Sequence, residues 1–258
     1  MSWNEHLVHI EAVLGRIREA NLTLNLRKCV FANAVVDFLG HCVGLNVVKP
    51  RAKKVEALLH FPQPNTRKQL QSFLGLAGYY RRYLPHYADV TLALTSLLKK
   101  GVKFVWTEEA EKAFLDLKSR LSSGPILRPP DFEKQFCVAV DASNFCVGAC
   151  LFQVHEELEH PVCYLSRKLN EHEIRYSTIE KEALALVVAV RSFSVYFGSS
   201  SVLVYTDHSP LQFIQKMANS NQKLLRWSLE LQQYSLDIRH RPGKDNRLPD
   251  ILSRPSVM

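Results

Sequence analysis

The sequence predicts an α/β (α+β) fold: a mixed five-stranded sheet with flanking helices in the second half, preceded by a mainly helical stretch. Three observations carry this. Short apolar runs at 135–141, 146–153 and 161–166 follow one another across tight turns, the pattern of an antiparallel meander. A strongly apolar helical stretch, 177–196, then leads to a fourth run, VLVYTD, which ends at Asp207. A fifth run, YSLDIRH (234–240), follows a helix at 222–233. Helix-linked strands added to a meander make the sheet mixed.

In chain order, residues 4–20 place Leu7, Ile10, Val13, Leu14 and Ile17 at helical spacing. Alternation after that predicts short strands at 22–25, 28–31 and 36–43, with Gly40 and Gly44 marking a tight turn or a close backbone approach. Residues 51–59 read as a short basic helix. FPQPNT is a loop that ends in a helix cap, Thr66, and a helix follows over 67–80. Another helix is predicted near 89–100, an extended segment or strand at 103–107, and a helix over 108–122. That last helix turns Ala113, Phe114, Leu117 and Leu121 inward, and Glu108, Glu109 and Glu111 complement its N-terminal dipole. Pro and Gly between 123 and 132 mark a domain boundary. Ser177 or Thr178 caps the apolar helix. A helix from Pro210, a loop RPGKDN and a last short helix LPDILSR complete the reading.

With 47 % hydrophobic residues in 258, the chain can bury a substantial core. No apolar run approaches the ~20 residues of a membrane span. The opening MSWNEHLVHIEAV has charges where a signal peptide needs its apolar centre, so an intracellular, soluble protein is expected. The six cysteines form no CxxC pair and read as buried reduced thiols, with Cys146 and Cys150 on one face of a strand. The net charge of +8 is uneven: residues 1–130 carry 19 Lys+Arg against 10 Asp+Glu, and the remainder is nearly neutral. A basic half beside a carboxylate-bearing half suits a polyanion that one attracts and the other acts on. In the basic half, Tyr79, Tyr80, Arg81, Arg82 and Tyr83 interleave rings with guanidinium groups. That pattern fits a nucleic-acid backbone, and it fits equally well tyrosines packed in a helical core beside solvated arginines.

Asp141 ends the first strand, and a carboxylate there is costly unless it is paired. Asp207 ends the fourth strand, Asp250 begins the last helix, and Glu182 lies early in the apolar helix with Glu180 as its competitor. If the first and fourth strands are neighbours, both aspartates reach one edge of the sheet. Converging carboxylates raise each other's pKa, and hard divalent cations relieve this. Two ions about 4 Å apart could clamp the attacking and leaving oxygens of a phosphodiester.

The segments VDASNFCVGACLFQ, HPVCYLSRKLNEHEIRYSTIEKEALALVVAVRSF, VYTDHSPLQFI and HRPGKDNRLPDILSRP resemble the ribonuclease H domain of gypsy-type LTR retrotransposon polyproteins. Upstream, LRKCVFANAVVDFLGHCVG is similar to the primer-grip region of a reverse transcriptase palm. FPQPNTRKQLQSFLGLAGYYRRYLPHYADVTLALTSLLKK resembles the thumb, and FVWTEEAEKAFLDLKSRLSSGPILRPPDF the connection. The resemblance implies a truncated palm remnant at 1–50, a thumb and connection at 51–130, and a ribonuclease H-like domain at 131–258.

It further implies that Asp141, Glu182, Asp207 and Asp250 are the catalytic, metal-binding acids, which selects Glu182 over Glu180. Their cofactor would be two Mg²⁺ ions, with Mn²⁺ as a substitute. The expected reaction is cleavage of the RNA strand of an RNA–DNA hybrid, recognised by geometry and 2′-hydroxyls. Ser143 and Asn246, beside the acids, would orient substrate, and Tyr79, Tyr80, Arg81 and Arg82 would touch nucleic acid. Other retroelement Pol proteins are further expected partners, and no membrane is.

Two departures stand out. The family's YxDD-type motif is expected just upstream of SWNEHL, where this sequence has Met1, so polymerase activity is not expected from this chain alone. Leu248-Pro249 precedes Asp250 where the family has Ala, which Pro at a first helical position accommodates. The alternatives are a non-catalytic nucleic-acid-binding remnant and a part of an RNA-directed DNA polymerase. A half-palm without its packing partners is expected to leave apolar faces exposed.

Overall fold

The computed structural model describes residues 2–44, 46–123, 127–198, 200–208 and 221–242. By compactness the chain divides into two units, Met1–Val36 and Asp37–Met258. In the first, helix α1 (Trp3–Glu19) starts on a capping box in which Ser2 and Glu5 satisfy each other's backbone N–H groups. It buries none of its residues, and Trp3, Val8 and Leu26 are 61, 63 and 74 % exposed. The strands expected at 22–25 and 28–31 are absent. The Asn25 side chain accepts the Arg27 N–H at 3.2 Å and turns the chain into a 3₁₀ turn, Leu26–Lys28. This local hydrogen bond outcompetes an extended conformation that has no ladder to join.

The strand expected at 36–43 is two strands, β1 (Val35–Phe38), across which the division falls, and β2 (His41–Gly44). Leu39 (φ 45°) and Gly40 (φ 79°) make the two-residue turn between them. A Cβ on Gly40 would lie 3.1 Å from the Tyr79 ring, so the close approach inferred for this glycine is real. Strand β3 (Val47–Pro50), which the pattern did not reveal, pairs antiparallel with β2.

Next comes a helical layer. Helix α2 (Ala52–Leu59) precedes α3 (Arg67–Tyr79), where Thr66 accepts the Gln69 N–H at 3.2 Å as expected of the cap. The single helix expected near 89–100 is two short ones, α4 (Tyr87–Val90) and α5 (Leu92–Ser96). They break at Thr91, whose hydroxyl lies 2.8 Å from the Tyr87 carbonyl and back-bonds to it. Residues 103–106 carry no helix or strand, so the alternative of a strand there is not realised, and α6 (Glu108–Ser122) starts on Thr107.

The sheet has the order β6-β5-β4-β7-β8. Strands β4 (Cys137–Ala142), β5 (Cys146–His155) and β6 (Leu158–Lys168) form the expected antiparallel meander. Helix α7 (Thr178–Phe197) leads to β7 (Val202–Thr206), which pairs parallel with β4. Helix α8 (Gln222–Leu231) leads to β8 (Leu236–His240), parallel to β7. The expected helix from Pro210 and the segments RPGKDN and LPDILSR fall largely or wholly outside the described residues.

Alternation along the strands makes two cores. Val138, Val140, Val147, Ala149 and Leu151 pack with α7 and α8. Cys137, Ala139, Cys150, Phe152, Tyr164 and Leu203 face the other way, onto Leu58, Leu70, Phe73, Phe114 and Leu117 of the helical layer. The Pro-rich connection at 123–132 thus joins two layers that share a core. All six cysteines are free; four are buried, while Cys29 and Cys42 are half-buried.

Candidate metal centre

The register between β4 and β7 sets the first two acids. Ala139 lies opposite Tyr205. Two residues further, Asp141 and Asp207 leave the strand ends side by side on the face that the helical layer covers. Backbone contacts hold the Asp207 corner: His240 Nε2 donates to the Asp207 carbonyl at 3.0 Å, and the His208 N–H donates to Thr206 Oγ1 at 3.1 Å. The third acid comes from the opposite face. Glu182, early in α7, is 6 % exposed and reaches the same edge. Oxygens of Asp141, Glu182 and Asp207 all lie within 4.8 Å of one another.

Electrostatics follow from this crowding. Burial pushes the Glu182 carboxyl up to about 8, and the charges of Asp141 and Asp207 add to the shift against one lowering contact, the Ala142 N–H. Burial also raises Asp141, which His86 opposes and Asp207 reinforces. Glu182 Oε2 is buried with no hydrogen-bond partner. A buried acceptor left without a donor is costly, and a cation would satisfy it. Three carboxylates offering hard oxygen donors, one of them with an orphaned oxygen, fit Mg²⁺ or Mn²⁺.

Glu180, the competitor of Glu182, is differently occupied. Its carboxylate takes up the capping box with Ser177, lies 2.9 Å from Lys223 Nζ and accepts from Asn221 at 3.2 Å. It is spoken for as a helix cap and interhelix tie.

Asp250 and Asn246 lie outside the described residues. Ser143 sits in the β4–β5 turn, where its hydroxyl accepts the Cys146 N–H at 3.0 Å and lies 3.2 Å from Asp89 Oδ1. Tyr80 requires a correction as a nucleic-acid contact. It is 1 % exposed and donates to the Gly40 carbonyl at 3.0 Å, so its ring is packing and offers no face to a base. Tyr83 is packed likewise, with its hydroxyl 2.8 Å from His41 Nδ1. Tyr79, 51 % exposed, stacks on His41 at a 5.4 Å centroid distance, and Arg81 and Arg82 are exposed.

Two residues near the acids were not singled out from sequence, His86 and Asp89. Both act electrostatically on Asp141. They lie in PHYAD, far upstream in the chain, and only the packing of the helical layer on the sheet brings them close.

Residues 131–234 match the family described as the RNase H-like domain found in reverse transcriptase. Over 99 % of its length the chain is 42 % identical to the retrovirus-related Pol polyprotein from transposon 297 of Drosophila melanogaster, and it covers 24 % of that protein. It is 35 % identical to the transposon Tf2-3 polyprotein of Schizosaccharomyces pombe over 98 % of its length, covering 19 % of that polyprotein. The chain thus spans at most about a quarter of these relatives. Among solved structures, a foamy viral protease-reverse transcriptase in complex with RNA/DNA hybrid superposes with a TM-score of 0.76 at 21 % identity. That match covers 100 % of this chain and 35 % of the viral one, and it shows a shared fold.

Proposed function

We propose, from the match of residues 131–234 to the RNase H-like domain found in reverse transcriptase, that the chain is a divalent-metal-dependent endonuclease cutting the RNA strand of RNA–DNA hybrids. The observation that carries this is the buried Glu182 carboxylate, whose Oε2 has no hydrogen-bond partner and which offers an oxygen within 4.8 Å of oxygens of Asp141 and Asp207. A structural acid in an apolar helix would have donors at both oxygens; here the Ala142 N–H serves the carboxylate, Oε2 has no partner, and two like charges stand nearby.

Asp141, Glu182 and Asp207 would hold the cations, two Mg²⁺ ions in this reading, with Asp250 as the fourth acid. The chemistry supplied by bound divalent ions is activation of water and neutralisation of charge on the leaving 3′ oxygen. The protein's own part is placement. Two strand ends fix the aspartates, a buried helix fixes Glu182, and the Ala142 N–H orients its carboxylate. The exposed Tyr79, Arg81 and Arg82 supply a ring and two cations for the nucleic-acid backbone, sequence-independently.

The test is purified full chain with labelled RNA–DNA hybrid and Mg²⁺. Cleavage of the RNA strand is expected, abolished by chelation and by D207N, with double-stranded DNA left intact. Tight binding of hybrid without cleavage overturns the nuclease reading and leaves a non-catalytic binder.

A further inference from the structure

Asp141 is paired across the β4–β5 hairpin with Gly148. Directly opposite residues point to the same side of a sheet, so beside Asp141 there is a place with no side chain. The His86 ring stands over it: a Cβ on Gly148 would lie 3.7 Å from both Cε1 and Nδ1 of His86. His86 and Asp141 line one small cavity together with Pro85, Ala139 and Cys150.

The backbone holds His86 there deliberately. Its φ of 50° and ψ of 30° are left-handed, uncommon for a residue with a side chain. Such a conformation persists where neighbours over-determine it, and clusters at functional sites. Those neighbours are visible. The Ala88 N–H donates to Ser166 Oγ on β6 at 2.9 Å. Asp89 Oδ2 lies 3.8 Å from His86 Nδ1, and Asp89 Oδ1 is 3.2 Å from the Ser143 hydroxyl in the β4–β5 turn. Burial would push the Asp89 carboxyl up, but hydrogen bonds from His86, Cys146 and Ser143 hold it down, which keeps the brace charged.

We propose that His86, braced by Asp89, is a positioning residue of the metal centre, fixing the Asp141 carboxylate for cation binding from outside the RNase H-like segment. This rests on the metal-dependent nuclease reading and adds to it a part of the site that residues 131–234 lack. The logic is that of an outer group acting on a metal ligand, here through charge and the shared cavity; loss of such outer groups typically weakens metal binding about 10–100-fold.

The experiment uses the full chain and the variants H86G, H86N, D89N and D207N. Glycine adopts the left-handed conformation freely and asparagine tolerates it, so neither strains the backbone. Two readouts are taken: Mn²⁺ affinity by electron paramagnetic resonance without substrate, and kcat and KM on hybrid. H86G and D89N are expected to bind Mn²⁺ about tenfold more weakly and to lose kcat with KM unchanged, while H86N recovers most of both. If wild type binds and cleaves, D207N does not, and H86G matches wild type, the His86 proposal alone is overturned. A wild-type chain that neither takes up Mn²⁺ nor cleaves overturns the nuclease reading and this proposal together.

Discussion

The two faces of the five-stranded sheet are covered from different parts of the chain. One packs on α7 and α8, both inside the family match at 131–234. The other packs on residues from 58 to 127, which lie before it. Neighbouring residues of one strand illustrate this: Leu151 belongs to the first core and Phe152 to the second, and both are fully buried. The helical layer is therefore part of the sheet's packing, and not only an appended grip. The acids obey the same division. Asp141 and Asp207 lie on the second face and Glu182 comes from the helix on the first, so the candidate site is where the two coverings meet.

The strongest test of that meeting point removes one acid from each side. E182Q and D207N should each lower hybrid cleavage by about a thousandfold, roughly 4 kcal/mol of barrier. Single-turnover cleavage in Mg²⁺ measures it. If D207N falls that far and E182Q keeps more than a tenth of wild-type activity, the helix-borne acid is not part of the site.

The next test asks whether the two coverings fold as one. L151A and F152A should each cost about 2–5 kcal/mol, because truncating either fully buried side chain leaves a cavity. One cooperative transition, lowered in both variants and followed by calorimetry, is expected. If F152A splits the transition in two, the helical layer is a separate unit and the sheet does not depend on it.

Much of this was legible in the sequence, for identifiable reasons. The meander, α6, α7, the Thr66 cap and the Ser177-or-Thr178 cap, which the structure resolves to Ser177, rest on local signals: period-two runs, helical spacing and a hydroxyl at the helix start. Conditional on β4 and β7 being neighbours, the meeting of Asp141 and Asp207 was legible too, and the parallel pairing satisfies that condition. What was not legible depends on partners distant in the chain. Tyr80 and Arg81 are adjacent in sequence, yet one is packed in the core and bonded to the Gly40 carbonyl while the other is exposed, and contacts distant in the chain decide which. The break at Thr91 and the turn at Asn25 were missed because a side chain bonding its own backbone looks, in pattern, like any polar residue. His86 was missed because its neighbour Gly148 is 62 residues away.

The acids also predict an unusual pH dependence. The folded-state pKa of Glu182, about 8, lies above its ordinary value of 4.5. The folded protein therefore keeps a proton that the unfolded chain gives up, and stability falls as pH rises from about 4.5 to about 8. For a carboxylate this buried the loss is on the order of a few kcal/mol. Without metal, the melting temperature should drop across that window in wild type and less in E182Q. Added Mg²⁺ should restore it, most strongly near pH 8. A metal-free wild type whose stability climbs over the same window would remove the argument for an electrostatically loaded site.

Two residues earlier on the same helix the sign reverses, and the effect shrinks. Burial opposes ionisation of Glu180, but donors from Lys223, Ser177 and Asn221 outweigh it and bring the carboxyl down to about 2. Its stabilisation is present above pH 4.5 and is lost as pH falls toward 2. The tie has two parts: the box closing the first turn of α7, with the Ser177 N–H 2.9 Å from Glu180 Oε2, and the bridge to Lys223 on α8. The bridge is partly solvated, since the Lys223 side chain is 36 % exposed, so most of the worth lies in the cap. S177A should therefore cost about 1 kcal/mol at neutral pH and K223A less. Urea melts at pH 7 rank the two. If K223A proves the more damaging, α7 and α8 are held together by charge more than by their shared core of Ala183, Leu224 and Trp227, and the covering of the first face would need the same revision as the second.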